Sequence, residues 1–392
     1  MEYNIIEINK SKVAPLITGH PWVFSGALLC KYPNLKNGEI VKLFCNSNYV
    51  ATGVFNNNSI AFKVLSFNEN DVIDSAFIIN NIKSIHNNKK SLYVNEENNG
   101  FRLVNADADY LPGLIIDVFH NLAVFQVSSI LMESFIADII LALKQLNFAH
   151  IVEKSDSESR KLDGLLVKKP IVHYGVQQSS YKFLENGITM LCDPLCGQKT
   201  GFFLDQKLAR NWLKHNSKNK KVVNLFSYSG GFGVSALIGE ARAVINVDVS
   251  KEALQLAELI FQENNASNSN CLYSCIKSDV FEYLQQDFQA DVLICDPPAF
   301  AKNKASLDNA VKAYVKINAK CLSKLSVGNI FITSSCSGLL KMEDFINIIK
   351  KACLQANKKV KILHEFKQHS DHSIILGFKE GEYLKTLILE II

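Results

Sequence analysis

The alternation of strand-like and helix-like segments from Lys220 onward is the feature that most constrains the fold of this chain. Apolar, β-branched runs predict strands, and amphipathic stretches between them predict helices. The predicted strands are Val222–Phe226, Ala243–Val249, Leu272–Ile276, Asp291–Cys295 and Asn329–Thr333, and the predicted helices are Gly233–Gly239, Lys251–Asn264, Leu307–Leu325 and Glu343–Ala356. Such alternation is typical of an α/β fold with a mostly parallel, doubly wound, Rossmann-like sheet.

The last segments of the chain depart from this alternation. Val360–Glu365, Ser373–Gly377 and Leu384–Ile391 are all predicted as strands, with no helix between them. Because consecutive parallel strands need a long crossover connection, at least one of these strands is expected to run antiparallel.

Further domains are expected before this sheet, because 392 residues at ~150 residues per domain allow two or three domains. Residues 1–70 contain short strand-like runs between turns, which indicates a small β-barrel-like domain. Residues 71–189 mix helix and strand patterns, including a predicted strand at Leu92–Val94, and are expected to form an α+β middle domain. The third domain is then 190–392.

Composition limits the compartment and the partners. Acidic residues early in the sequence and the lack of an apolar run of ~18 residues argue against a secreted or membrane protein, so a cytoplasmic location is expected. The formal net charge of +4 permits a nucleic-acid partner without requiring one. Most of the ten cysteines are expected to be reduced and buried, and their spacing predicts no metal site.

The loops after the predicted strands carry the candidate cofactor site, because open α/β sheets bind ligands at the carboxyl ends of their strands. Glycines in Phe226-Ser227-Tyr228-Ser229-Gly230-Gly231-Phe232-Gly233 let the backbone approach a ligand, although the G-x-G-x-x-G dinucleotide spacing is absent. Asp248 can accept hydrogen bonds from both hydroxyls of a ribose, whereas Ser250 is better placed to cap the next helix. Asp279 can accept from an adenine amino group or cap a helix. Together these residues indicate a methyltransferase that binds S-adenosylmethionine through its adenosine half.

Asp296 and Cys336 form the candidate catalytic pair. They follow the fourth and fifth predicted strands, which are neighbours in the doubly wound order, so the two residues are expected to emerge side by side. Carbon 5 of cytosine is too weakly nucleophilic to take a methyl group directly. Addition of a thiolate at carbon 6, with an acid at N3, makes carbon 5 nucleophilic. The alternative is that Cys336 is a structural thiol at the end of a strand.

Motifs in six places make nearly the whole chain resemble the RlmI-type ribosomal RNA large-subunit cytosine-C5 methyltransferases. In order they are Gly19-His20-Pro21-Trp22-Val23-Phe24-Ser25-Gly26-Ala27, Arg102-Leu103-Val104 with Asp109-Tyr110-Leu111-Pro112-Gly113-Leu114 and Asp117, Gly197-Gln198-Lys199-Thr200-Gly201-Phe202-Phe203-Leu204-Asp205-Gln206 with Arg210, Asn224-Leu225-Phe226-Ser227-Tyr228-Ser229-Gly230-Gly231-Phe232, Asp296-Pro297-Pro298-Ala299-Phe300-Ala301-Lys302, and Ser335-Cys336-Ser337. The resemblance implies an RNA-binding PUA domain, a middle domain and a class I S-adenosylmethionine-dependent methyltransferase domain.

The resemblance also implies roles for single residues. Lys199, Asp205 and Gln206 would lie near the entrance for cofactor and substrate, and Cys336 would be the nucleophile. The cofactor pocket would be completed by Phe226, Ser227, Tyr228, Gly230, Asp248, Ser250, Asp279 and Asp296. The implied substrate is large-subunit (23S) ribosomal RNA, and members of the family suggest a homodimer.

Two positions depart from the pattern of the family. Ala299 stands where the family often has serine, and Ser334 stands where it often has a cysteine. Neither departure removes the nucleophile. A cysteine directly after the Asp-Pro-Pro motif, which other RNA cytosine-C5 methyltransferases carry, is also absent, so the base that removes the carbon-5 proton stays unassigned.

We expect the protein to bind RNA by electrostatic contacts with the phosphates and to extrude the target base from its helix. The cytosine would turn toward Phe300 and Tyr228, and Lys302 and Lys304 would contact phosphates beside the Asp-Pro-Pro loop. Trp22 belongs to the PUA-like motif. Alternatively, the aromatic segment that contains Trp22 only fills the hydrophobic core of that domain and does not contact RNA.

Two other functions fit the same sequence. One is a methyltransferase that acts on a guanine nitrogen or a small molecule, with a structural Cys336. The other is a non-catalytic RNA-binding protein that retains the fold. Loss of methyl transfer in Cys336→Ala separates the first from a cytosine-C5 enzyme, and binding of S-adenosylmethionine separates the second.

Overall fold

The computed structural model describes residues 3–264, 270–300 and 304–392. The chain divides into two compact units. Unit 1 comprises Met1–Phe183, Cys192–Phe203 and Ser370–Gly381, and unit 2 comprises Leu184–Leu191, Leu204–His369 and Glu382–Ile392. The expected three-domain division stays a prediction.

Unit 1 begins with a five-stranded sheet. Its elements are β1 (Asn4–Glu7), α1 (Ala14–Ile17), β2 (Trp22–Phe24), β3 (Ile40–Cys45), β4 (Asn48–Phe55) and β5 (Ile60–Ser66). The strand order is β1-β3-β4-β5-β2, and all neighbours are antiparallel except β1 and β3. Side chains of β3 alternate between buried and partly buried, because successive residues of a strand point to opposite faces.

A second five-stranded sheet with three helices follows in unit 1. Its elements are α2 (Ser75–Tyr93), β6 (Gly100–Asn105), β7 (Leu114–Phe119), β8 (Leu122–Val127), α3 (Ile130–Ser134), α4 (Ile136–Gln145), β9 (His150–Glu153) and β10 (Ile171–Tyr174), in the strand order β10-β9-β8-β7-β6. The mixture of helices and strands confirms the α+β pattern. The strand predicted at Leu92–Val94 is wrong, because α2 continues to Tyr93 from its cap at Asp74.

The chain then forms a two-stranded sheet of β11 (Tyr181–Glu185) and β12 (Ile188–Cys192), which the sequence pattern does not predict. Unit 2 contains, in chain order, α5 (Lys207–Asn216), β13 (Lys221–Leu225), α6 (Gly231–Ile238), β14 (Ala243–Asp248), α7 (Lys251–Asn264), β15 (Leu272–Lys277), α8 (Val280–Tyr283), β16 (Val292–Cys295), α9 (Leu307–Ser323), β17 (Ile330–Ser335), α10 (Met342–Ala356), β18 (Val360–Phe366) and β19 (Lys385–Ile391). Short 3-10 helices lie at Lys10–Lys12, Ser25–Ala27, Ala106–Asp109, Glu158–Asp163, Leu204–Gln206, Lys304–Ser306 and Lys379–Gly381.

The seven strands of unit 2 are ordered β15-β14-β13-β16-β17-β19-β18. The first five are parallel to their neighbours, as the alternation predicts. β19 is antiparallel to both β17 and β18, which confirms the antiparallel end of the sheet. Fully buried residues on its strands, such as Val223, Leu293 and Phe331, form the core with α9 and α10. Each large apolar side chain buried in this way stabilises the fold by roughly 1.5–3 kcal/mol.

The strand predicted at Ser373–Gly377 is wrong. The segment is irregular and belongs to unit 1, where the side-chain amide of Asn105 donates to the carbonyl of Ser373 (3.0 Å). A turn follows, in which Phe378 N donates to the carbonyl of Ile375 (2.8 Å). Because a side chain and a turn use its backbone groups, the apolar run does not need a strand partner.

Candidate active site

The carboxyl ends of the parallel strands of unit 2 bring most of the predicted site residues to one edge of the sheet. β16 and β17 are paired in register, with Cys295 opposite Thr333. Asp296 follows directly after β16, and Cys336 follows directly after β17. The expected neighbourhood of the fourth and fifth strands is therefore confirmed.

The loop after β13 is held in an unusual backbone conformation. Phe226, Tyr228 and Gly230 all have positive φ angles, of 55°, 47° and 72°. A Cβ atom at Gly230 would lie 2.8 Å from the Cβ of Ala257, so glycine is required there by space as well as by φ. Left-handed non-glycine residues cost about 1–3 kcal/mol each and persist where the surroundings hold them, commonly at functional sites. Here the amide of Ser227 donates to Val247 O at 3.0 Å.

Asp248 holds this loop through one of its oxygens. Tyr228 N donates to Oδ2 of Asp248 (2.8 Å), and Ser250 N donates to Oδ1 (2.9 Å). Each carboxylate oxygen has a second lone pair, so both can also accept from ribose hydroxyls. The carboxylate is half-buried, which keeps it accessible to a ligand. Ser250 Oγ accepts from Ala253 N (3.1 Å), the hydrogen bond of a helix cap.

Asp279 is the N-cap of α8. Its Oδ1 accepts from the amides of Phe281 (2.7 Å) and Glu282 (3.2 Å). The capping alternative is thus present in the structure. The side chain is exposed, and the cap uses only one of its two oxygens. The predicted hydrogen bond to an adenine amino group is therefore compatible with the cap and stays a prediction.

Asp205 and Gln206, in the turn before α5, are both buried. Tyr383 Oη donates to Oδ2 of Asp205 (2.8 Å), while Oδ1 of Asp205 is buried without a hydrogen-bond partner among the described residues. Gln206 Nε2 donates to Ser334 Oγ (3.1 Å), and Thr386 Oγ1 donates to Gln206 Oε1 (3.1 Å). The serine that stands in place of the family's cysteine is therefore part of a hydrogen-bonded ring.

Asp296 has the most strongly perturbed carboxyl group of this edge. Loss of solvation raises the pKa of Asp296 to about 7, and the nearby negative charge of Asp205 acts in the same direction. Hydrogen bonds from Gln206 and Ser334 and the positive charge of Arg210 oppose the rise without cancelling it. Near neutral pH, Asp296 is consequently able to carry a proton and donate it.

Arg210 is itself fixed by a buried ion pair in unit 2. Its Nε and Nη2 donate to the two carboxylate oxygens of Glu185, at 2.6 and 2.8 Å. Both side chains are almost fully buried. This two-point geometry holds the guanidinium in place, where its charge acts on the pKa of Asp296. The sequence motif includes Arg210, but nothing in the sequence pointed to Glu185.

Cys336 lies between two buried serines at the end of β17, and its own side chain is half-buried. Across the site, the ring of Tyr314 packs against the ring of Phe300, with centroids 4.7 Å apart. Burial raises the pKa of Tyr314 to about 12, and Cys336 and Asp296 both contribute charge to that effect. Ser337 Oγ is buried with no hydrogen-bond partner in the described part of the chain. A buried hydroxyl group and a half-buried thiol are therefore adjacent in the sequence at the end of β17.

The remaining four predicted residues are Lys199, Trp22, Lys302 and Lys304. In unit 1, Lys199 is exposed, and its carbonyl accepts from Gln126 Nε2 (3.2 Å). Trp22, also in unit 1, is half-buried and donates its Nε1–H to Asp107 (2.8 Å). Lys302 lies outside the described residues. Lys304 begins a short 3-10 helix, and its RNA contact stays a prediction.

The residues of unit 2 fit S-adenosylmethionine. The fit rests on Asp205 Oδ1 and Ser227 Oγ, which are buried without partners in the described ranges and suit the polar groups of a bound molecule. Asp248 has spare acceptor capacity for a ribose, and the left-handed turn at Gly230 keeps side chains out of the way. Within the described chain, no cluster of three or more His, Cys, Asp or Glu could hold a metal ion. In the same ranges, no helix has both the length and the apolarity needed to cross a membrane.

Comparisons with known proteins agree with this arrangement. Residues 172–337 match the family described as S-adenosylmethionine-dependent methyltransferase, and residues 6–67 match a PUA-like domain. A protein of Alteromonas mediterranea named Ribosomal RNA large subunit methyltransferase I is 35% identical over 95% of both chains. Its namesake in Aeromonas salmonicida is 34% identical over 98% of both.

A solved methyltransferase in complex with SAH is 25% identical to this chain, with a TM-score of 0.83 over the full length of both proteins. Its bound SAH agrees with the cofactor expected from the loops of unit 2. This chain uses S-adenosylmethionine, carries a PUA-like domain at its N-terminal end, and belongs to the ribosomal RNA large subunit methyltransferase I family.

Proposed function

We propose that this protein methylates carbon 5 of a cytosine in large-subunit ribosomal RNA through a covalent bond between Cys336 and carbon 6. The observation that carries the proposal is the pairing of β16 with β17, which sets Asp296 and Cys336 at the ends of adjacent strands. Curated relatives over nearly the whole chain are named as ribosomal RNA large subunit methyltransferases, which supports the choice of RNA.

The first step activates the base. The thiolate of Cys336 forms a bond to carbon 6, the electrons of the C5–C6 double bond shift toward C4 and N3, and N3 takes the proton of Asp296. A carboxyl group with a pKa of about 7 holds that proton at neutral pH, whereas an ordinary aspartic acid has lost it. Carbon 5 then has the electron density of an enamine.

The later steps transfer the methyl group and release the enzyme. When bound, S-adenosylmethionine supplies an electrophilic methyl group on its sulfonium sulfur. Carbon 5 forms the new C–C bond as the sulfur–methyl bond breaks. The proton of carbon 5 is lost to solvent, its electrons restore the C5–C6 double bond, the Cys336 thiolate leaves, and the N3 proton returns to Asp296.

The other residues of the edge have binding roles in this proposal. Asp248 would accept from the ribose, and Phe226, Ser227, Tyr228, Gly230 and Ser250 would complete that side of the pocket. Asp205 and Gln206 would line its entrance, together with Lys199, and Asp279 would accept from the adenine amino group. The target cytosine would leave its helix and pack toward Phe300, as enzymes that act on a base within a stack require. Trp22, Lys302 and Lys304 would contact the RNA.

The experiment is transfer of labelled methyl groups from S-adenosylmethionine to large-subunit ribosomal RNA, followed by analysis of the nucleosides. We expect 5-methylcytidine from the wild-type protein and none from Cys336→Ala, with unchanged binding of S-adenosylmethionine by calorimetry. Cys353→Ala is the matched control, because Cys353 is another half-buried cysteine of unit 2. A methylated guanosine, or a normal rate in Cys336→Ala, would show that the proposal is wrong.

A further inference from the structure

A buried lysine lies beside the proposed nucleophile. Lys385 is the first residue of β19, where it pairs with Ser335 of β17, and it is 1% exposed. Its Nζ donates to the carbonyl of Ser337 (2.5 Å) and to the carbonyl of Tyr383 (2.6 Å). Ser337 directly follows Cys336, so the ammonium group is anchored to the loop that carries the thiol.

Burial of the Lys385 side chain disfavours its positively charged ammonium form. A buried ammonium group is stable where hydrogen bonds and negative charges replace its water. Both of its hydrogen-bond acceptors in the described chain are neutral carbonyls, and they occupy two of its three N–H groups. Burial lowers the pKa of Lys385 to about 8, and negative charge on Cys336 is the largest effect that opposes this decrease, ahead of Glu382 and Asp344.

We propose that Lys385 is a positioning residue that favours the thiolate form of Cys336 and fixes the backbone from which this thiolate attacks. The inference rests on the proposed role of Cys336 as nucleophile. A nearby ammonium group favours a thiolate by charge, and a low-pKa thiol is the reactive kind.

Three acids, Asp296, Glu382 and Asp344, are among the other groups whose charge acts on Tyr314 or Lys385. Asp296 precedes α9 and carries a negative charge once it has lost its proton. Glu382 lies just before β19 and Asp344 lies on α10, and the negative charges of both act on Lys385. Tyr314 of α9 is neutral over the working range, because its pKa is about 12. Lys385 therefore offsets negative charges that would disfavour a thiolate, and this support decreases as pH rises through about 8.

The test measures the rate of alkylation of Cys336 by iodoacetamide between pH 5.5 and 9, with peptide mass spectrometry to separate it from the other cysteines. Lys385→Gln keeps a hydrogen-bond donor and removes the charge. We expect its alkylation at pH 7 to be about tenfold slower, because a shift of one pKa unit changes the thiolate fraction by that factor. Lys385→Arg keeps the charge and is expected to stay within about threefold of wild type.

Lys351→Gln is the matched control, because it removes an exposed lysine from α10 of the same unit. An unchanged pH profile in Lys385→Gln would overturn the proposal, and so would equal losses in the Gln and Arg variants, which would indicate a purely structural clamp. If Lys385→Gln does not fold, Cys336→Ser tests the same coupling from the other side. Loss of the thiolate should then lower the pKa of the Lys385 ammonium group. NMR of labelled lysine measures this pKa, and an unchanged value would contradict the proposal.

Alkylation needs neither RNA nor S-adenosylmethionine, so this experiment separates the two proposals. If Cys336→Ala methylates cytosine normally while Lys385→Gln still slows alkylation, the proposed function fails and the coupling of the lysine to the thiol stands. If Cys336→Ala is inactive while Lys385→Gln alkylates like wild type, only the role of Lys385 fails.

Discussion

Gln206 Nε2 donates a hydrogen bond to Ser334 Oγ at 3.1 Å, which joins the turn before α5 to the end of β17. Thr386 completes the connection, since its hydroxyl lies 3.0 Å from Ser334 Oγ and donates to Gln206 Oε1. All three side chains are buried. Because Asp296 receives hydrogen bonds from Gln206 and Ser334, this ring also acts to lower the pKa of the proposed catalytic acid, against the larger effect of burial.

Ser334→Ala should destabilise the protein. The substitution removes Ser334 Oγ as an acceptor for the buried amide of Gln206, and an unsatisfied buried donor costs about 1–3 kcal/mol. Urea unfolding followed by circular dichroism measures the change. Ser323→Ala, which removes an exposed hydroxyl that donates to Lys320 O, is the control and should change stability by less than about 0.5 kcal/mol. Equal stabilities of the two variants would contradict the role of the ring.

Asp296→Asn should slow the formation of the covalent adduct with RNA. The amide cannot give a proton to N3, and general acid catalysis contributes roughly 10²–10⁴-fold to a rate. In the wild type, the acid form of Asp296 decreases as pH rises through about 7, so the rate per thiolate should decrease above that pH. Quenched-flow measurement of the adduct at several pH values tests both points. Asp287→Asn, at a fully exposed carboxylate, is the control.

The sequence predicts the framework of this site well, for a physical reason. Alternating strands and helices leave a periodic apolar signal, and parallel strands necessarily end at the same edge of a sheet. The proximity of Asp296 and Cys336 can therefore be predicted from the sequence, because each follows one of two neighbouring strands. The loop glycines and Asp248 follow from the same argument.

The surroundings of the site could not be predicted in this way. Glu185, Tyr383, Lys385 and Thr386 carry no motif, and each acts on a partner that lies 25 to 180 residues away in the sequence. Only the tertiary pairing of β17 with β19 and the position of α5 create these contacts. The sequence does carry one signal, a lysine at the start of a strand whose other residues are mostly apolar, because lysine is rarely fully buried.

Glu185→Gln should lower the stability of unit 2. The substitution removes the negative charge of the carboxylate that pairs with the buried guanidinium of Arg210, and breaking a buried ion pair from one side costs about 3–5 kcal/mol. Thermal unfolding measures this loss. Glu240→Gln breaks an exposed ion pair with Lys218 and serves as the control, with an expected loss below about 1 kcal/mol. A loss of similar size in both variants would contradict the importance of the buried pair.

Two aspartates should differ in their effect on cofactor binding. Asp248→Asn removes a carboxylate that also holds the Tyr228 amide, and calorimetry should show at least tenfold weaker binding of S-adenosylmethionine. Asp279→Ser keeps a good helix cap while it removes the carboxylate. Several-fold weaker binding in this variant, without loss of thermal stability, is expected if Asp279 accepts from adenine. Unchanged affinity would leave Asp279 with the cap alone.

Covalent trapping on RNA that contains 5-fluorocytosine tests the central claim most directly. Fluorine at carbon 5 cannot leave as a proton does, so the bond between Cys336 and carbon 6 persists after methyl transfer. We predict a stable complex of protein and large-subunit RNA that requires S-adenosylmethionine, resists denaturing electrophoresis, maps to Cys336 and is absent in Cys336→Ala. Methylation of the same RNA without any trapped complex, or a complex that persists in Cys336→Ala, would contradict the account.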